Sequence, residues 1–171
     1  KKYGRERVTE LIDEDDAPEI TREDLIEDYN LKFFLTHEGY LKKLALTSLR
    51  SAGELRTKED DYIIQSIETT NRAELLLFSS KASLYKIPVA EIDLDRPSDW
   101  GTYLQNLIEL ESGEKILYMV AVPDGEKYSG EMVFAYKDGR VSRVDLEQYE
   151  TVQRRRKLVN VCNHRSPIVG L

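Results

Sequence analysis

His37 and His164 are the two histidines of the chain, and Cys162 is its one cysteine. Neither histidine has a partner at metal-ligand spacing. His37 sits in a turn segment and is expected to be exposed. Cys162 ends an apolar stretch at 158–162, which predicts a core side chain rather than a nucleophile. The acidic run Asp13, Glu14, Asp15, Asp16 lacks the spacing of a calcium loop and reads as a solvated linker. The sequence has no phosphate loop and no Gly-x-Ser-x-Gly elbow. The chemistry left is that of cations, which neutralise phosphates without reading bases. The candidates are Lys42, Lys43, Arg50, Lys81, Lys86, Arg140 and Arg143, with the run Arg154, Arg155, Arg156, Lys157.

Positioning these cations falls to short strands. From Asn30 onward, apolar runs of four to eight residues alternate with turn signals, which is strand spacing. Strands are expected at 31–36, 40–46, 61–67, 74–79, 83–89, 104–110, 115–122, 131–136, 140–146 and 157–162. Upstream, 5–13 reads as the end of a helix, 16–19 as a linker and 21–27 as a short capped helix.

Three stretches overlay without gaps, at 33–46, 76–89 and 133–146. Their turns centre on Gly39, Ala82 and Gly139, so the spacings are 43 and 57 residues. Periods of about 40–50 residues are those of propeller blades. The longer second spacing is assigned to insertions within 93–103 and the 123–130 turn. Gly39 and Gly139 supply the positive φ that a tight hairpin needs; Ala82 departs, so its turn is expected to differ. In the exit strands Leu44, Ile87 and Val144 share one face. Lys43, Lys86 and Arg143 take the other, which predicts one outward cation per blade. Leu41, Leu84 and Val141 share the cations' parity, and a bulge or edge burial is expected to account for them. Two readings of the stripe stand: edge cations that discourage aggregation, or a stepped row of phosphate contacts.

Charge bears on that choice. The chain of 171 residues has a net charge of −7. Residues 1–30 hold five basic and eleven acidic groups, a net of −6, so the rest is close to neutral. Local basic stripes are therefore compatible with the acidity. A lone cysteine excludes an internal disulfide and fits a reducing compartment. No apolar run reaches the ~20 residues of a membrane-spanning helix.

These segments resemble the C-terminal domain of the DNA gyrase and topoisomerase IV A subunits. The resemblance rests on Phe34-Leu35-Thr36-His37-Glu38-Gly39-Tyr40-Leu41-Lys42-Lys43, Asp60-Asp61-Tyr62-Ile63, Glu74-Leu75-Leu76-Leu77-Phe78-Ser79, Gly101-Thr102 with Asn106-Leu107-Ile108, and Gly113-Glu114-Lys115-Ile116. Upstream, Lys2-Tyr3-Gly4-Arg5-Glu6-Arg7 and Leu11-Ile12-Asp13-Glu14 resemble the end of the family's breakage-reunion domain, and 24–28 its join to the C-terminal domain. Residues 1–29 are assigned to that end and linker, and 30–171 to a partial domain.

The resemblance implies an all-β fold, a β-pinwheel of about three blades that exchange strands. It implies a module without catalytic residues that binds and bends duplex DNA for an ATP-dependent type II topoisomerase. The cleaving tyrosine lies in the preceding domain, and ATP and Mg belong to other parts of the holoenzyme. The B subunit is the implied partner and the bacterial cytoplasm, at the nucleoid, the implied location. Gyrase carries a glycine-rich Gln-Arg-Arg-Gly-Gly-Arg-Gly box after its first hairpin; here that place reads Leu49-Arg50-Ser51-Ala52-Gly53-Glu54-Leu55-Arg56, which tilts the reading toward topoisomerase IV. The run at 153–157 is similar to a box without its glycines, and equally reads as a solvated loop. A propeller-like protein-interaction module without DNA binding is the alternative. Three blades do not close a ring, so an open arc with a free apolar edge near 158–171 is expected, which two copies could cover by pairing.

Overall fold

The computed structural model describes residues 25–151, 155–162 and 166–171. The helix expected at 5–13 and the linker at 16–19 lie outside them. Of the 21–27 helix, only the end is described, and there Leu25 and Ile26 form a turn and a bend.

Along the chain the elements are β1 (Asn30–Thr36), β2 (Tyr40–Ala45), α1 (Leu46–Ser51), β3 (Ile63–Thr70), β4 (Glu74–Ser79) and β5 (Ser83–Pro88). A 3-10 turn at Val89–Glu91 leads to β6 (Thr102–Tyr103), α2 (Leu104–Leu107), β7 (Ile116–Val122), β8 (Glu131–Tyr136) and β9 (Val141–Asp145). A second 3-10 turn at Leu146–Tyr149 precedes β10 (Lys157–Val159) and β11 (Ile168–Gly170). The described strands form three antiparallel sheets, in the orders β3-β1-β2-β6, β10-β5-β4-β7 and β11-β8-β9.

Each sheet is built on one of the three overlaid hairpins. The third strand of each, β3, β7 or β11, pairs with the entry strand at the same register: Ile63 faces Thr36, Ile116 faces Ser79 and Ile168 faces Tyr136. The outer strand is borrowed. β6 follows the second hairpin but pairs with β2, and β10 follows the third hairpin but pairs with β5. This is the strand exchange of a β-pinwheel.

The blades stack face to face, so a central strand is covered on both sides. Leu75 and Leu77 of β4 enter the core shared with the first blade, which holds Leu31, Phe33 and Leu35. Leu76 and Phe78 point the other way, into the core shared with Phe134, Leu146 and Tyr149 of the third blade. Full burial of a Leu or Phe stabilises by about 1.5–3 kcal/mol, so both cores hold the stack together. Between the third strands, the Gln65 amide donates to the Met119 carbonyl at 2.8 Å and accepts from the Met119 N–H at 2.8 Å.

Several expectations need correction. Residues 104–110 are not a strand. Leu104, Leu107 and Ile108 have helical spacing, and the segment begins with α2 after a two-residue strand. α1 and β11 lay in stretches with no element assigned. The Ala82 turn does not differ from its counterparts. Ala82 adopts φ +55°, beside +88° at Gly39 and +82° at Gly139. Within 158–171, β10 pairs with β5 and β11 with β8, and each is the outermost described strand of its sheet, with Val159 and Val169 exposed; among the described strands, the hairpin strand at a sheet end is β9.

Candidate nucleic-acid interface

The recurrent lysines do not face outward. Lys43 is 2% exposed, Lys42 3% and Lys86 5%. For Lys43 and Lys86 the reason is the stacking: the face opposite Leu44 and Ile87 is not solvent but the contact with the next blade, whereas Lys42 shares the Leu44 face and is covered by the segments of Arg56 and Pro97. Leu41 and Leu84, both fully buried, lie on the same face as Lys43 and Lys86, and no bulge is needed to explain them.

Each buried ammonium has a defined set of acceptors. Lys43 Nζ donates to the carbonyls of Val89 and Ile92 at 2.8 and 2.7 Å and to Asn71 Oδ1 at 2.8 Å. Lys86 Nζ donates to the Tyr149 carbonyl and sits 4.8 Å above the Tyr128 ring. Lys42 Nζ donates to the carbonyls of Arg56 and Pro97 at 2.6 and 3.2 Å. Burial pulls the Lys43 pKa down to about 8, against the opposing pull of Asp93 and Asp95. Lys86 and Lys42 are lowered by the same cause. These three ammonium groups have no free donor surface for a phosphate and are removed from the candidate interface.

The other candidates lie at the surface, most of them beside a carboxylate. Lys81, in the second hairpin turn, is 3.1 Å from Glu111 and donates to the Ser112 carbonyl at 2.8 Å. Arg140 lies 4.0 Å from Asp138, and Arg143 3.5 Å from Glu131. Arg156 bonds Glu91 at 3.0 Å. Arg155 is exposed, and so is Arg50 in the last turn of α1. Lys157 is half-buried, 5.1 Å from the Tyr85 ring and 3.8 Å from Glu111; the Tyr85 hydrogen bond raises its pKa most. Arg154 and His164 lie outside the described residues. Exposed ion pairs of this kind contribute about 0–1 kcal/mol, so a phosphate can displace the carboxylate at little cost.

The residue-by-residue reading missed two buried acids. Asp61 and Glu114 each stand two residues before a third strand. Asp61 Oδ1 accepts from the N–H groups of Glu38 and Tyr62 at 3.0 and 2.8 Å. Glu114 accepts from the hydroxyls of Ser79 and Tyr85 and from the Glu111 N–H. Burial pushes the Glu114 carboxyl up, but these three donors and the Lys157 charge outweigh it and leave it below the usual value. Both acids tie the third strand to the hairpin turn. The shared acid-x-Ile spacing at Asp61-Tyr62-Ile63 and Glu114-Lys115-Ile116 was the available signal. His37 is exposed and stacks on Tyr62 with ring centres 5.1 Å apart. Cys162 is buried. Among the described residues no group of three His, Cys, Asp or Glu could hold a metal ion, and no helix is long and apolar enough to cross a membrane.

No protein-family model matches the chain. It is 31% identical over 166 residues to the DNA gyrase A subunit of Staphylococcus epidermidis, covering 92% of this chain and 18% of that protein. It is 29% identical over 160 residues to the DNA gyrase A subunit of Clostridium acetobutylicum, covering 90% and 19%. The chain thus spans about a fifth of the length of these relatives. Among solved structures, the C-terminal domain of DNA topoisomerase IV matches with a TM-score of 0.71 at 23% identity, over 84% of this chain and 45% of that one. The E. coli ParC C-terminal domain matches with a TM-score of 0.53 at 15% identity, over 67% and 44%. Over the stretch it covers, this chain is similar in sequence to DNA gyrase A subunits, and it is folded as a β-pinwheel like the C-terminal domain of topoisomerase IV.

Proposed function

We propose that this chain is a non-catalytic DNA-binding and DNA-bending module of a type IIA topoisomerase A subunit. The observation that carries the reading is the similarity to gyrase A subunits across 92% of the chain. The surface cations Arg50, Lys81, Arg140, Arg143, Arg155, Arg156 and Lys157 are the proposed phosphate contacts, with Arg154 beside them in sequence. They act by charge, releasing counterions from the duplex without reading bases. Bending a short site costs roughly 1–6 kcal/mol by elastic estimates, which several such contacts together offset. In this reading the parent enzyme acts in the bacterial cytoplasm with a B subunit, while ATP and Mg are used elsewhere in the assembly.

The finer assignment is to a topoisomerase IV-like rather than a gyrase-like role. Its support is the segment 49–56, where α1 and the residues after it stand in place of a glycine-rich box. A supercoiling assay on the parent enzyme tests it: relaxation and decatenation without negative supercoiling is the expected result.

Gel retardation of linear duplex DNA by the full chain, at several salt concentrations, tests DNA binding itself. Retardation at low salt with a steep loss of affinity as salt rises is expected. No retardation at low salt, or binding indifferent to salt, overturns the proposal and favours a protein-interaction module.

A further inference from the structure

Trp100 is the one tryptophan of the chain. It is 44% exposed, in the loop that leads from the second hairpin into β6, the outer strand of the first sheet. The backbone that carries it is clamped along β2. The Asp95 N–H donates to the Lys43 carbonyl at 2.9 Å, and Asp95 Oδ2 accepts from the Lys43 N–H at 2.8 Å. At Gly101 there is no room for a Cβ beside the Leu41 carbonyl. The indole is therefore presented by a fixed backbone at the outer end of the sheet, not on a face between blades.

Trp100 does not stand alone. Its ring meets that of Tyr40 edge to face, with centres 6.4 Å apart, and Tyr40 packs on Tyr103 at 5.1 Å. Lys58 Nζ lies 5.7 Å from the centre of the same Tyr40 ring. The Arg56 N–H donates to the Pro97 carbonyl at 3.1 Å, which ties the segment of Arg56 and Lys58 to the loop of Arg96 and Trp100. Arg56, Lys58 and Arg96 are all exposed. Among the described residues none of the three forms an ion pair, whereas Lys81, Arg140, Arg143, Arg156 and Lys157 each do. The acids of these segments are engaged or lead away: Asp99 Oδ2 accepts from the Arg96 N–H at 3.3 Å, and Glu59 and Asp60 form the turn that carries the chain toward β3. The blade architecture does not require the cluster, since the positions matching Tyr40 in the other hairpins are Ser83 and Arg140.

Aromatic rings beside unpaired cations suit a ligand with flat π-faces on a phosphate chain. A strand with unpaired bases has both; in a duplex the base faces are covered by their neighbours. We propose that Trp100 is a stacking platform for an unpaired base of a DNA strand, with Lys58 at the adjoining phosphate and Arg56 and Arg96 on either side of Pro97 guiding the backbone. Stacking of this kind accepts any base, because every base has a π-face. The site shares no residue with the duplex contacts proposed above, and it adds a single-strand activity to that reading without depending on it.

The emission of Trp100 reports on the site directly, since no other tryptophan contributes. Titration of the full chain with a single-stranded oligothymidylate is expected to quench that emission to a plateau, while a duplex of the same length leaves it largely unchanged. Trp100→Ala is expected to weaken binding of an end-labelled oligothymidylate, read by anisotropy, by roughly 5–150-fold, and to retard duplex DNA as the parent does. Trp100→Phe keeps a stacking face and is expected to retain most of the single-strand affinity. Emission indifferent to the oligothymidylate, quenching by duplex equal to that by the single strand, Trp100→Ala binding the oligothymidylate as the parent does, or Trp100→Phe binding it as poorly as Trp100→Ala would each overturn the proposal. Duplex retardation without quenching removes this site and leaves the duplex reading standing; quenching without duplex retardation does the reverse.

Discussion

Lys43 and Lys86 hold equivalent places in successive hairpins, and each donates to the carbonyl at the end of the following 3-10 segment, Ile92 for Lys43 and Tyr149 for Lys86. The two lysines are therefore bolts between blades. Removing one leaves buried carbonyls without a donor, at about 1–3 kcal/mol for each unsatisfied group. Part of that loss is offset because an ammonium no longer has to be desolvated. Lys43→Met is expected to destabilise the fold by ~1–3 kcal/mol, read from denaturant unfolding.

The pH dependence of Lys43 has a definite sign. Its folded pKa of about 8 lies below the ordinary value of 10.5. Between those values the unfolded chain binds the extra proton, so stability rises with pH across the window from about 8 to 10.5. Tyr128 and Tyr149 act oppositely at the upper end. Burial raises both above 10, so from pH 10 upward the unfolded chain loses protons first and stability falls. A stability maximum between pH 8 and 10.5 is expected, and Lys43→Met is expected to flatten its acid-side slope.

Gly101 marks the closest approach of a borrowed strand. It has φ +93°, and an added Cβ would lie 2.6 Å from the Leu41 carbonyl oxygen of the neighbouring strand. Overpacking against backbone costs about 1–3 kcal/mol, and a left-handed conformation adds roughly 1–2. Gly101→Ala is expected to destabilise by about 3 kcal/mol and to detach β6 first, visible as faster amide exchange at Leu104, whose N–H donates to the Gly39 carbonyl.

Ala82 carries the opposite lesson. It holds φ +55° where the matching positions are glycines. A left-handed alanine costs about 1–2 kcal/mol, and glycine gives back roughly 0.4–1 in unfolded-chain entropy. Ala82→Gly is expected to raise stability by up to about 1 kcal/mol in thermal unfolding.

The hairpins were legible because their signals are local. Turn glycines, strand length and alternation all sit within fifteen residues, and β4 and β8 fall where the pattern places them. Alternation alone could not say what covers the second face of a sheet. Lys43 and Leu41 share a face, and a two-residue period is equally consistent with solvent and with another blade there. The apolar company of the lysine was the signal for a blade. The borrowed strands β6 and β10 were harder to place for a different reason: their partners β2 and β5 lie far back in the chain, and two or three residues carry too little pattern to name a partner. At the interface, Arg143 and Lys86 have the same place in the repeat; what separates them is only whether a further blade packs against them.

Glu114 predicts acid sensitivity. Its folded pKa lies below the ordinary value because its hydrogen bonds outweigh its burial. Its contribution is therefore present above pH ~4.3 and is lost as pH falls through the folded value. Glu114→Gln is expected to cost about 1–3 kcal/mol near neutrality, since a neutral amide offers Ser79, Tyr85 and the Glu111 N–H fewer acceptor sites. The variant is also expected to show a shallower fall in stability between pH 5 and 3, measured by urea unfolding at each pH.

The surface arginines and the buried lysines predict different salt behaviour. Each phosphate contact adds about 0.9 to the slope of log affinity against log salt. Reversing Arg140, Arg155 and Arg156 together is expected to lower that slope by roughly 2–3 and to weaken binding alike on unrelated duplex sequences. Their ion pairs with Asp138 and Glu91 are exposed, so folding is expected to survive the change. Lys86→Met removes a cation that no phosphate can reach. Measured where the variant remains folded, its salt slope is expected to equal that of the parent, while its unfolding midpoint falls. Equal loss of slope in both variants would mean that the Lys86 ammonium meets DNA, and that the second and third blades separate when it does.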